Sequence, residues 1–119
     1  MFIPNPTARF GEEIACKFLK GKGYSIVEKN FRKGFGELDI VAIYKNTLIF
    51  AEVKTRTTTL FGGAKEAITS YKLSKLIKTA KYYKMTHSNL PEAMRIDAVL
   101  ISLKGKDREI VHIENITGF

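Results

Sequence analysis

The chain is poor in cysteine. Its single Cys16 leaves no basis for an internal disulfide framework or a cysteine-rich zinc site, which fits a reducing compartment. Cys16 itself reads as a small core residue on a helix. No apolar run approaches the length of a membrane span, and the opening MFIPNPTARF lacks the basic and apolar segments of a secretory signal. The expected location is therefore the cytoplasm. Internal repeats and low-complexity tracts are missing. So are a phosphate-cradling glycine motif and a Ser-His-Asp order, which sets aside the phosphate-loop and serine-triad classes. Acids are outnumbered, 12 against 20 Lys and Arg, for a net charge of +8.

That charge favours a polyanionic partner, either nucleic acid or an anionic membrane surface, although a solvated basic surface would carry it equally well. Hydrophobic residues at 45% and charged residues at 27% of 119 residues give the balance of one globular domain spanning 1–119.

Pro4 and Pro6 mark an extended start, after which a helix is expected over about 7–22, closed by Gly21 and Gly23. Phe10, Ile14 and Phe18, with Ala15 and Leu19, form its apolar face. Residues 24–30 alternate as a strand and run into a basic, glycine-interrupted loop at 31–36. Two largely buried strands follow, 37–44 and 47–55, with only Lys45 and Asn46 between them. A Thr- and Gly-rich loop leads to a second helix over about 64–85. There Ile68, Leu73, Leu76, Ile77 and Ala80 recur at helical spacing, and the far side is rich in lysine. A loop with Pro91 precedes a closing strand pair, 95–102 and 109–116. The order α-β-β-β-α-β-β implies an α/β fold with a central mixed sheet flanked by helices.

Asp39 and Glu52 interrupt strands that otherwise read as buried, and buried acids cost several kcal/mol unless paired or bound to a metal. A two-residue turn at Lys45 and Asn46 sets Asp39 opposite Glu52, with Cβ atoms about 4.5–5.5 Å apart. A divalent cation is the commonest reason to hold two like charges so close, and oxygen-only ligands favour Mg2+ or Mn2+. Alternation puts Lys54 on the face of Glu52, where a cation can hold a water and neutralise charge developing on a phosphate. A plainer reading makes Lys54 an ion-pair partner of one acid. Convergence of two acids and a lysine in a basic protein favours an active site.

The acid in one strand followed by Glu52-Val53-Lys54 in the next resembles the PD-(D/E)xK nuclease motif. The segments GEEIA at 11–15, GELDIVA at 36–42, FAEVKTR at 50–56 and RIDAVLI at 95–101 resemble the YraN family of predicted bacterial endonucleases. The resemblance covers nearly the whole chain. It implies a restriction-endonuclease-like core similar to that of archaeal Holliday junction resolvases. It also implies Asp39 and Glu52 as metal ligands, Lys54 as the catalytic lysine, and Glu12 as a further acid. Helical geometry supports Glu12 independently, because it lies along one edge of the buried face with Ala15 and Leu19, while Glu13 points outward with Lys17 and Lys20. Leu38 stands where the motif's name has proline. The implied activity is metal-dependent hydrolysis of DNA phosphodiester bonds, with branched or other structured DNA among the substrates. The alternative is a non-catalytic nucleic-acid-binding module of a repair, recombination or uptake complex. The expected partner is DNA rather than a membrane, and a homodimer is an admissible assembly.

Glu37 shares a face with Asp39 and would pair with Lys54 in the same register, as a supporting partner of the site or an extra ligand. Arg32, Lys33, Arg56 and Lys72 are candidate phosphate contacts, each with a solvated surface charge as the plainer reading. Lys72 stands out in the row Ile68-Lys72-Leu76 beside the apolar face. Lys75, Lys78, Lys81 and Lys84 make a basic stripe that is either an electrostatic footprint or the wet side of a helix. His87 is expected in a loop and His112 on the solvent face of the last strand, neither with a catalytic role.

Overall fold

The computed structural model describes residues 5–57 and 68–117. Helix α1 runs Pro6–Gly21, strands β1 Ser25–Lys33, β2 Gly36–Tyr44 and β3 Thr47–Arg56, helix α2 Ser70–Thr86, and strands β4 Ala93–Ser102 and β5 Glu109–Ile113. The expected element order holds. Strand β4 begins at Ala93 rather than at Arg95, β5 ends at Ile113 short of the expected 116, and three further boundary shifts have local physical causes. Pro6 opens α1 rather than preceding it, because Asn5 caps the helix through its side chain to the Thr7 and Ala8 N–H groups and proline needs no partner in the first turn. The basic stretch Phe31-Arg32-Lys33 is not loop but the end of β1, paired with Leu38, Glu37 and Gly36 across a turn at Gly34 and Phe35. Helix α2 starts at Ser70 with Thr69 as its cap, so Ile68 lies before the helix. The earlier part of its expected span, 64–67, lies outside the described residues.

The five strands form one mixed sheet in the order β1-β2-β3-β4-β5, antiparallel except for the parallel β3–β4 pair that α2 connects. A tight turn fixes the β2–β3 register. Lys45 and Asn46 take φ of 48° and 58°, the left-handed pair that matches strand twist, so Tyr44 meets Thr47 and Ile40 meets Ala51.

The sheet carries a core on each face. Ile40, Ala42, Ile49, Ala51, Val53, Val99 and Ile101 pack on Ile14, Ala15, Cys16 and Leu19 of α1. Leu38, Val41, Leu48, Phe50 and Ile96 pack on Leu76, Ala80 and Tyr83 of α2. Cys16 is core, as its sequence context suggested, whereas Phe10 sits near the start of the apolar face and is 46% exposed. Gly23, at φ 97°, turns the chain out of α1 while the Tyr24 N–H reaches back to the Leu19 carbonyl.

Candidate functional site

Strand β3 passes through the centre of the sheet and projects Glu52 toward α2, on the side of Leu48 and Phe50. Asp39 reaches the same place through an irregularity. It lies with Asn30 between the pairs Lys29–Ile40 and Phe31–Leu38, and Asn30 adopts φ 56° inside β1. Side-chain alternation slips there, so that Val41 and Leu38, three residues apart, both face α2. Asp39 therefore stands one step beyond the last regular β2–β3 pair, and its Oδ2 accepts the Val53 N–H at 2.8 Å in place of a ladder bond.

Asp39 and Glu52 are both buried, at 6% and 4% exposure. Burial first, and then the Glu52 charge, push the Asp39 carboxyl up to about 8, with the Val53 hydrogen bond opposing them. Two desolvated acids side by side create a demand for positive charge. Lys72 from α2 supplies part of it, with its ammonium 2.9 Å from Glu52 Oε1.

Lys54 sits half-buried on the same face, and burial followed by the neighbouring Lys72 holds its amine below the usual lysine range. Burial pulls Lys72 downward too, but its hydrogen bonds to Lys54 and Glu52 outweigh that and raise it. Lys72 is the ammonium that holds Glu52.

Glu12 enters from α1. Its carboxyl is raised by burial and by Glu37, while a hydrogen bond from the Asn30 side chain and the Arg32 charge oppose the rise. Gly11 allows this approach, since a Cβ there would fall 1.8 Å from Thr55 Oγ1 of β3.

The remaining expected positions are only partly gathered here. Glu37 is exposed and pairs with Arg32 in register and as an ion pair at 3.2 Å, so the pairing of Glu37 with Lys54 is not formed. The β2–β3 ladder ends at Ile40 and Ala51, and from Leu38 outward β2 follows β1 instead. Lys33 lies over the Tyr82 ring, 5.1 Å from its centroid. Arg56 is exposed at the end of β3, where its carbonyl accepts the Leu103 N–H. Lys72 is no solvated charge; it is the residue that closes on Glu52. Asn30 gave no sequence signal, because only its left-handed backbone brings its amide to Glu12.

A second polar cluster lies on the opposite face. Asp97 on β4 is fully buried and accepts hydrogen bonds from Arg95 Nε at 3.0 Å, from the Asn115 N–H at 2.9 Å and from His112 Nε2 at 2.9 Å. His112 is therefore not on the solvent face: its side chain is 4% exposed, and its Nδ1 meets the Lys22 ammonium at 2.7 Å. Arg95 also donates to the Tyr24 hydroxyl at 2.7 Å, and Tyr24 stacks on Tyr44. With every member paired, the cluster clamps α1, β4 and the segment after β5 together. His87 follows α2 and stacks on Tyr83, with ring centroids 3.8 Å apart.

The family profile described as "Uncharacterised protein family UPF0102" matches residues 11–101. The chain belongs to this family. A UPF0102 protein of Caldanaerobacter subterraneus subsp. tengcongensis is 39% identical over 107 residues, covering 89% of this chain and 87% of its own. One from Syntrophomonas wolfei subsp. wolfei is 42% identical over 107 residues, with 89% and 92% covered. A shorter match, to a UPF0102 protein of Clostridium perfringens, is 49% identical over 74 residues and covers 62% of this chain. Glu12, Asp39, Glu52, Lys54 and Lys72 all fall inside the UPF0102 match, whereas His112 lies beyond it. Among the described residues no helix is long and apolar enough to cross a membrane.

Proposed function

We propose that this UPF0102 protein is a divalent-metal-dependent endonuclease acting on DNA phosphodiester bonds, on a restriction-endonuclease-like core. The observation that carries the reading is the pair of buried acids, Asp39 and Glu52, set beside Lys54 and Lys72 on one face of the sheet. Structural ion pairs rarely bury two carboxylates together, because each desolvated charge costs several kcal/mol.

The donor set suits a hard cation. Among the described residues no group of three or more His, Cys, Asp or Glu side chains is placed to hold a metal ion, so Asp39, Glu52 and Glu12 are not gathered as a three-ligand set. Two carboxylates with the rest left to water and substrate phosphate is the usual arrangement for Mg2+, and Mn2+ accepts the same oxygen ligands. Asp39 and Glu52 would hold the ion, with Glu12 at its margin. Such an ion would polarise a phosphoryl oxygen and lower the pKa of a water.

The chain's own residues do the rest. The Val53 N–H fixes the Asp39 carboxylate, and Asn30 orients Glu12. Lys54, on the same face as Glu52, would orient the attacking water and offset charge developing on the phosphate. Lys72 moves its charge from Glu52 to the phosphate as the group develops negative charge. The test is cleavage of branched, flapped, nicked and linear DNA with Mg2+ or Mn2+, alongside RNA. Activity that requires the metal and disappears in Glu52→Gln supports the reading, and wild-type inactivity on every substrate overturns it.

The Lys72–Glu52 ion pair favours a second reading, a non-catalytic DNA-binding module in which the lysine permanently occupies the cation's place. Metal-independent DNA binding with no cleavage would select it.

A further inference from the structure

Beside the acidic pair, a cavity of about 370 Å³ opens between β2 and the first turns of α2, walled by Tyr71, Lys72, Lys75, Leu76, Thr69 and Glu37. Three features set it apart from ordinary surface. Tyr71 is 69% exposed, a large aromatic ring left in water where burial would have been favourable. Lys75, one helical turn on, holds its ammonium 4.8 Å from the centre of that ring. Lys72 belongs both to the wall and to the ion pair with Glu52, so the cavity adjoins the proposed site of cleavage.

Gly36 keeps this arrangement close-packed. A Cβ there would fall 2.4 Å from Thr79 Oγ1, so α2 lies hard against β2 and holds Tyr71, Lys72 and Lys75 along the cavity edge. A rigid aromatic ring, an apolar wall at Leu76 and two ammonium groups match one nucleotide, with the base on the ring and its phosphates by the lysines. A base inside a duplex already stacks on both neighbours and cannot offer its face to Tyr71.

We infer that this cavity takes an unpaired nucleobase, stacked on Tyr71, and that the substrate is DNA with a displaced or single-stranded nucleotide beside the bond to be cut. The inference rests on the nuclease reading for the cleaved bond, but the pocket's occupancy is measured separately. The probe is a single-stranded DNA oligonucleotide carrying one 2-aminopurine, and the same strand annealed to its complement. Each is titrated without divalent metal against the full chain, Tyr71→Ala and Tyr71→Phe. The expected results are a change in 2-aminopurine fluorescence with the single strand but not the duplex, retention of that change in Tyr71→Phe, and about tenfold weaker binding with loss of the signal in Tyr71→Ala. Equal binding and signal in wild type and Tyr71→Ala, or a duplex response matching the single strand, overturns the inference. Metal-dependent cleavage with no Tyr71 effect would remove the pocket and leave the nuclease. A Tyr71-dependent signal without cleavage of any substrate would remove the nuclease and leave the pocket.

Discussion

On the nuclease reading, Lys54 and Lys72 have different parts: Lys72 is paired with Glu52, whereas Lys54 stands on the same face two residues along β3, where burial and the neighbouring Lys72 hold its amine below the ordinary range. Replacing Glu52 with Gln or Lys54 with Ala should lower the cleavage rate by about 10²–10³, the usual cost of losing one electrostatic stabiliser of a transition state. On the same reading DNA affinity should change little, because most of the binding energy would come from phosphate contacts elsewhere. Gel shifts and cleavage assays on the same preparations read both, and cleavage that survives in both variants would sink the assignment. The proposed metal has its own readout. At a hundredfold excess over its dissociation constant, Mn2+ should stabilise the fold by about 2.7 kcal/mol, seen as a rise in Tm that Asp39→Ala does not share. Asp97 gives a pH signature away from that site. Burial works against its charge, but His112, Arg95 and the Asn115 N–H outweigh burial and hold the carboxyl below its ordinary 3.8. The unfolded chain therefore binds the proton first, so the stability Asp97 contributes is complete above about pH 4 and is lost as the pH falls through the lower folded value. Asp97→Asn should be less stable at pH 7 and show a flatter acid melting profile. An unchanged profile would mean that the cluster adds nothing to folding.

Between elements, close approach rather than side-chain chemistry decides where the site's parts stand. Gly11 lets α1 settle on Thr55, with the place of a Cβ only 1.8 Å from Thr55 Oγ1. Gly11→Ala should thus cost about 1–3 kcal/mol through overpacking, although alanine alone favours a helix by about 1 kcal/mol. Gly21→Ala, in the last turn of α1 with nothing within 4 Å, should be neutral or mildly stabilising. Urea denaturation of the two variants compares them directly, and equal effects would show that the α1–β3 contact tolerates a methyl. The elements themselves were legible because hydrophobic period and turn chemistry act locally. Lys45 and Asn46 alone specified the β2–β3 register from Tyr44–Thr47 to Ile40–Ala51, but the expected direct Asp39–Glu52 pair is not part of that ladder, because β2 is irregular at Asp39 opposite the left-handed Asn30. The rest was written in contacts between distant segments. Glycines at 34 and 36 make residues 31–36 look like loop, while cross-strand pairing carries β1 through Lys33. Lys72 meets Glu52 only after α2 crosses back over the sheet, so its position in an otherwise apolar row was the one hint. The Asp97 cluster was missed although its signal resembled that of Asp39, an acid interrupting an apolar strand. Its partners Tyr24 and His112 come from opposite ends of the chain.

Over the whole molecule, the excess of positive charge remains available to a polyanion. Ion pairs among the described residues draw on Arg32, Lys72, Arg95 and the two histidines. The α2 stripe is spent differently: Lys75 and Lys78 lie over aromatic rings, and Lys84 donates to the Glu92 carbonyl. None of these contacts cancels a charge, so the stripe still presents a positive face on the helix that also carries Lys72 to the acidic site. A phosphate backbone laid along it would release counterions, and affinity should fall with a log–log salt slope near −0.9 for each duplex phosphate contacted. Lys78→Ala and Lys81→Ala together should reduce the magnitude of that slope by up to about 1.8 if each holds one phosphate. The cleavage rate at saturating DNA should stay as it was, since neither residue reaches the acids. Lys104→Ala, in the exposed turn between β4 and β5, serves as the comparison, because it removes the same charge far from α2. If it reduces the slope as much as a stripe lysine does, the attraction is spread over the whole surface and α2 is not the track the DNA follows.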